Sequence, residues 1–247
     1  MSKETKSKTA THSLKISYND MTDYNNSDLY EIGIDEVGRG PLFGRVYSAA
    51  VVLPKDGDFK YELMKDSKRF HSKKKIQEVA QYIKDNCIAW AVSYADEHCI
   101  DENNIRQATF MAMHNAIKDT LKQLEYTKSA SYYILADGND FKPYMYLNKN
   151  SNCIEQIPHV TIEGGDNKYC SIAAASIIAK VERDTYISKL CVDFPKLITY
   201  YALDNNVGYG TKKHVTGIEE HGISPWHRKT YGLCRHANTN PTDFYKI

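Results

Sequence analysis

The chain has 247 residues, 42% of them apolar and 26% charged, a balance typical of a globular protein long enough to bury a full hydrophobic core. Its 32 basic residues nearly cancel its 31 acidic ones, so net charge gives no argument for a polyanionic partner. No apolar run is long enough to cross a bilayer, and the six cysteines (Cys87, Cys99, Cys153, Cys170, Cys191, Cys234) contain no CxxC pair, so neither a membrane span, a zinc site nor a disulfide framework is indicated. The polar start lacks a hydrophobic signal core, and a reducing, cytoplasmic setting is expected.

Met1 to Asp28 is rich in Lys, Ser, Thr, Asn and Asp and reads as a disordered tail. From Tyr30, apolar Tyr30, Ile32 and Ile34 alternate with Glu31, Gly33 and Asp35, and a β-branched run from Val46 to Leu53 follows a Gly/Pro-rich turn, together predicting a hairpin-like strand pair. Ile76, Val79, Ala80 and Ile83 mark a helix that Ser72 caps, and Cys87 to Tyr94 is a third strand. From Ile105 to Leu124 apolar residues recur at i, i+3, i+4 and i+7, predicting an amphipathic helix. Strands at Tyr132–Ala136 and Ile157–Ile162, a helix from Tyr169 to Leu190, a loop around Leu197 to Val207 and a helix from Lys212 to His221 complete the pattern of a mixed sheet covered by helices, an α/β fold.

Four acids stand at the ends of these elements. Asp35 and Glu36 close an apolar strand before Val37-Gly38-Arg39-Gly40-Pro41, Asp137 leaves a strand just before Gly138, and Asp166 follows Gly164-Gly165 ahead of the long apolar helix. Taken singly, each has a plainer explanation: a Gly-rich acidic turn, an Asp-Gly turn, and a helix N-cap. Two adjacent carboxylates share one site only where a strand ends and twists, which the glycines at 38 and 40 allow. Together the four match the demands of a pair of hard divalent cations, namely oxygen ligands with positions left open for water and phosphate oxygens.

The stretches GIDEVGRGPLFG (33–44), DSK (66–68), ADGN (136–139), EGGDNKYCSIAAASIIAKVERD (163–184), GYGTKKH (208–214) and SPWHRKTYG (224–232) closely resemble, in order and spacing, the signature segments of the ribonuclease HII family. The resemblance implies a ribonuclease H-like mixed five-stranded sheet flanked by helices, with a helical C-terminal part and a catalytic domain over 29–235 between tails at 1–28 and 236–247. It implies an endoribonuclease that hydrolyses the RNA strand of RNA/DNA hybrids and nicks duplexes at embedded ribonucleotides, leaving 5′-phosphate and 3′-hydroxyl ends, with a part in ribonucleotide removal during DNA replication and repair. Asp35, Glu36, Asp137 and Asp166 are then the catalytic acids holding two Mg²⁺ or Mn²⁺ ions, while Gly38, Arg39, Gly40, Lys68 and Tyr209 bind substrate. Discrimination falls on the 2′-hydroxyl, the group that separates RNA from DNA at the sugar.

Arg39 distinguishes the chain from the similar ribonuclease HIII type, which carries lysine there and an additional N-terminal domain for which the segment before Tyr30 is too short. Lys180 and Asp184, one turn apart, are expected to pair and to support the acids from behind. Lys65, Lys68, Arg69 and Lys73 to Lys75 form one basic group and Lys212, Lys213, Arg228 and Lys229 a second; such runs are usually solvated faces, and if both lie beside the acids they bind the phosphate backbone. Arg45 stands where the family more often has a small residue or proline, adding a cation near the acids. Phe244-Tyr245 lacks the glutamine and aliphatic spacing of a sliding-clamp peptide, so clamp contact is not expected, and a monomer is.

Overall fold

The computed structural model describes residues 14–18, 29–55, 57–124, 131–148, 151–240 and 242–244. β1 (Leu29–Val37) is the middle strand of a five-stranded sheet in the order β3-β2-β1-β4-β7. It pairs antiparallel with β2 (Val46–Val52), which pairs antiparallel with β3 (Ala89–Ala95). On its other side β1 runs parallel to β4 (Ser131–Asp137), and β4 parallel to β7 (His159–Ile162). The mixed sheet is therefore as expected, with carboxyl ends of three neighbouring parallel strands along one edge.

Strand alternation divides β1 between two cores. Ile32 and Ile34 pack with Phe110, Met113, Ala116, Ile117 and Leu121 of α2 (Glu97–Gln123) on one face. On the other, Gly33 lies against α3 (Cys170–Asp193) so closely that a Cβ there would stand 2.2 Å from the Ser171 carbonyl carbon. α1 (Lys73–Asn86) covers the same face beside α3, its first turn capped by Ser72, which accepts from the Lys75 amide as the sequence predicts.

α2 begins earlier than the periodicity indicates. Asn104, at φ 63° and ψ 162°, breaks it into two stretches, and its side chain accepts from the Gln107 amide to start the part from Ile105 onward. A hairpin of β5 (Met145–Asn148) and β6 (Cys153–Gln156) stands apart from the main sheet and was not foreseen. Residue 157, expected to open the last strand, is cut off from it by Pro158, which has no amide to donate.

The C-terminal part is helical: α4 (Lys196–Tyr201) and α5 (Leu203–Asn206) replace the expected loop, and α6 (Lys212–His221) has the expected bounds. These pack on the far end of α3 through Ile187, Cys191, Leu197, Tyr201, Leu203 and Ile218. Two stretches assigned to tails touch the fold: Lys15 bridges to Tyr169 and Ser17 donates to Glu31, while Phe244 is buried in the C-terminal cluster. The remainder of 1–28 and residues 245–247 lie outside the described residues.

Candidate active site

The carboxyl edge of β1, β4 and β7 gathers the four acids. Ile34 pairs with Ala136, so Asp35 and Asp137 stand one rung further on adjacent parallel strands, whose backbones run about 4.8 Å apart across the sheet. Asp166 follows β7 in a tight turn, Gly165–Asn167, whose Gly165 amide donates to Asp137 Oδ1 at 2.6 Å. The N-cap reading of Asp166 is not what is found: Tyr169 occupies that position of α3.

β1 remains a strand through Val37, later than expected, so Asp35 and Glu36 leave opposite faces. Asp35 is buried on the α3 side, where the Ser176 hydroxyl bonds its carboxylate, and Ser67 Oγ lies 2.9 Å from Ser176 Oγ. Glu36 faces a crevice lined by Arg106, Thr109, Phe110 and Met113 of α2 together with Asp137 and Asn139. The two acids meet through Asp137 at the sheet edge, whose charge acts on both.

The electrostatics show negative charge that the surrounding protein does not neutralise. Burial holds the Asp35 carboxyl well above its ordinary range, and the charges of Glu36 and Asp137 push it the same way. Burial raises Glu36 too, against the opposing pull of Arg39, whose Nη1 is 3.4 Å from Glu36 Oε1. Asp166 is raised by burial, then by Asp66 and Asp137, with Lys68 opposing. Like charges clustered out of water are costly, and a divalent cation is the natural counterion. Among the described residues no three His, Cys, Asp or Glu side chains close into a ready cage. Asp137 and Glu36 point instead to the Gly165 amide and the Arg39 guanidinium. The donor set fits hard cations whose coordination is completed by water and phosphate.

The Gly38-Arg39-Gly40 turn is built from below by residues whose part the sequence reading missed. Arg228, expected on a phosphate-facing surface, is fully buried. Its Nε, Nη1 and Nη2 donate to the carbonyls of Gly44 (2.8 Å), Arg39 (2.8 Å) and Gly38 (2.5 Å). Burial lowers its pKa to about 10, so it stays charged at neutral pH. Arg183, also buried, donates to the carbonyls of Phe43, Arg45 and Val207. Gly38, at φ +94°, leaves room for it: a Cβ there would sit 2.3 Å from Arg183 Nε. The Tyr231 hydroxyl donates to the Arg39 carbonyl, and Asp101 accepts from the Lys229 and Thr230 amides to hold that segment. Arginine and histidine in polar stretches read as surface, which is why sequence alone hid them.

Tyr209, about half exposed, sits beside Gly40, where a Cβ would lie 3.7 Å from its ring, and the Leu42 amide donates to the Gly208 carbonyl. The two loops named in the sequence thus meet at the site. Lys68 is exposed on the turn that Asp66 caps, and Asp66 also accepts from Asn167, next to Asp166. Lys180 and Asp184 do pair, at 2.5 Å, and lie on the stripe of α3 that begins at Ser176. Arg45 turns elsewhere than toward the acids: its guanidinium is sandwiched 3.9 Å from the Tyr94 ring centre and 4.4 Å from that of Tyr186.

Solved structures share this fold. The ribonuclease H2 of Pyrococcus horikoshii superposes with a TM-score of 0.61 at 22% identity, covering 83% of this chain and 95% of that one. The ribonuclease HII of Archaeoglobus fulgidus, solved as a complex with PCNA, gives 0.60 at 23% identity over 87% of this chain and 100% of its own. The sequence carries the assignment to a family. The family model described as Ribonuclease HII matches residues 32–234, and the Ribonuclease HII of Bacteroides thetaiotaomicron is 42% identical over 217 residues, 88% of this chain and 96% of that protein. The chain belongs to the ribonuclease HII family, and is a hydrolase of the ribonuclease H type that depends on divalent metal. Among the described residues no helix is long and apolar enough to cross a membrane.

Proposed function

We propose that the protein hydrolyses the RNA strand of RNA/DNA hybrids and nicks duplexes at embedded ribonucleotides, with Asp35, Glu36, Asp137 and Asp166 as its metal-holding acids. The observation that carries this reading is the uncompensated charge of buried carboxylates at the carboxyl edge of three parallel strands, beside the Gly38–Gly40 turn and Tyr209. Two Mg²⁺ or Mn²⁺ ions held there would activate water and stabilise the leaving 3′-oxygen. The protein's own part is positional. Backbone groups of the Gly38-Arg39-Gly40 turn, fixed by Arg228, contact the ribose 2′-hydroxyl, and Tyr209 packs on the neighbouring sugar. Ser176 aims the Asp35 carboxylate and partly opposes the burial that raises it, supported by Ser67, with Lys180 and Asp184 behind it on α3.

Lys68 and the lysines at the starts of α1 and α6 bind the phosphate backbone. Lys73, Lys74 and Lys75 occupy the first turn of α1, and Lys212 and Lys213 that of α6, where the helix dipole disfavours cations. Charges kept at an unfavourable end fit a partner that is itself anionic. We assign the catalytic domain to 29–235, acting as a monomer. Phe244 is packed against Tyr201 and Trp226, so no contact with a PCNA-type clamp is proposed through it.

A nicking assay on a duplex with one ribonucleotide, with Mg²⁺ and Mn²⁺ titrated separately, tests the reading. Hydrolysis of a phosphodiester at the ribonucleotide, breaking its P–O3′ bond and leaving 5′-phosphate and 3′-hydroxyl ends, is expected. Binding of such a duplex without cleavage under every metal condition would leave only a binding module.

A further inference from the structure

Two buried histidines, His214 in α6 and His227, lie behind Tyr209 and take no part in the chemistry above. Their hydrogens can be placed. The Ser224 amide points at His227 Nδ1 over 3.0 Å and the Ser224 hydroxyl lies 2.8 Å from the same nitrogen; an amide N–H has only a bare ring nitrogen to donate to, so the hydroxyl donates there as well. A neutral His227 therefore carries its hydrogen on Nε2, which lies 3.0 Å from His214 Nε2. That nitrogen must accept, so His214 carries its hydrogen on Nδ1, 2.9 Å from the Tyr209 carbonyl. One backbone amide thus orients a chain of three hydrogen bonds that ends on Tyr209. Burial lowers the pKa of both rings, which keeps the pair neutral at working pH.

The pair joins a set of backbone bonds that hold the loop: the Thr211 amide donates to the same Tyr209 carbonyl (2.8 Å), and the Tyr209 and Gly208 amides donate to Asn206. Tyr209 lies between two glycines, Gly208 at φ +91° and Gly210, so its position depends on these bonds rather than on neighbouring side chains. The histidine rings are themselves wedged by aromatic neighbours, Tyr201 against both and Phe43 edge-on to His227. We propose that His214 and His227 are positioning residues for substrate recognition: the oriented pair fixes the Tyr209 carbonyl, and with it the ring beside Gly40, at the ribonucleotide. This rests on the reading of Tyr209 as a substrate contact.

The test is a double-mutant cycle read on the ratio of nicking at a single ribonucleotide to cleavage of a continuous RNA/DNA hybrid. H214F, which keeps a ring but loses both bonds, is expected to lower that ratio about five- to tenfold, as Y209A does. The double variant should show no further loss, and H214N, with an amide N–H near the Nδ1 position, should recover most of it. Independent, multiplicative losses from H214F and Y209A overturn the positioning role while leaving Tyr209 as a contact. An unchanged ratio in Y209A overturns both. Imidazole ¹⁵N shifts of the unmutated protein, expected to report hydrogen on His214 Nδ1 and His227 Nε2, need no variant to fold; the opposite tautomers refute the chain.

Discussion

Replacing Asp35 by asparagine separates the cost of the acid cluster from its use. Without metal, this buried carboxylate is disfavoured by desolvation and by Glu36 and Asp137, whereas asparagine keeps the oxygen that accepts from the Glu36 amide. The Asp35→Asn protein stripped of metal is expected to melt about 2–4 °C higher than the parent, corresponding to about 1 kcal/mol, and the gap should close as Mg²⁺ is added. Its nicking rate, and that of Asp137→Asn, should fall by more than about 100-fold. A variant that melts higher yet nicks normally would remove Asp35 from the site. Arg39→Ala should alter site choice at RNA/DNA junctions with little change in melting temperature, because its side chain is largely exposed while its carbonyl serves Arg228 and Tyr231. The four acids proposed as ligands stood out in the sequence because each lies at or just beyond the end of an apolar strand with a glycine within two residues. Ser67 and Ser176 were not, since a serine supporting a carboxylate has no pattern of its own.

At the scale of elements, legibility followed burial. The part of α2 after Asn104 could be read because one face is apolar over five turns, whereas its first stretch opens on acids and a kink. β5 and β6 escaped because Leu147 and Ile154, paired across the hairpin, are 58% and 72% exposed, so their apolar residues do not mark an inner face. The turn carrying Gly38–Gly40 is an element held by another: three carbonyls converge on Arg228, and no shorter cation reaches all three. Arg228→Lys should destabilise the fold by about 2–4 kcal/mol in urea melts and lower nicking with it, since it leaves buried carbonyls unpaired. Losses confined to affinity, with stability unchanged, would return Arg228 to the phosphate-binding surface.

For the molecule as a whole, the lysines that open α1 and α6 tie stability to binding with opposite signs. Changing Lys73, Lys74 and Lys75 together to alanine should raise the melting temperature slightly, yet weaken hybrid binding and flatten its salt dependence by up to about three charges. An unchanged salt slope would make them an ordinary solvated face. The His214–His227 pair sets a second global response. Both rings have depressed values, so below the ordinary 6.5 the unfolded chain binds protons that the folded one refuses. Stability contributed by the pair is complete above that pH and drains away as pH falls toward the folded values. Urea midpoints of the parent should therefore drop more steeply between pH 7 and 5 than those of a variant with phenylalanine at both positions.

The strand that carries Asp35 and Glu36 is flanked on both sides, by β2 and β4, and α3 rests on Gly33 with no side chain between. Fraying of β3 at one margin therefore leaves Asp35, Glu36 and Asp137 in place, whereas Asp166 hangs on β7 at the other. Amide protons of Ile32 to Ile34 should be among the slowest to exchange with deuterium and those of β7 faster, and on heating catalysis should fade with the loss of β7 protection, ahead of the collapse of the central strands.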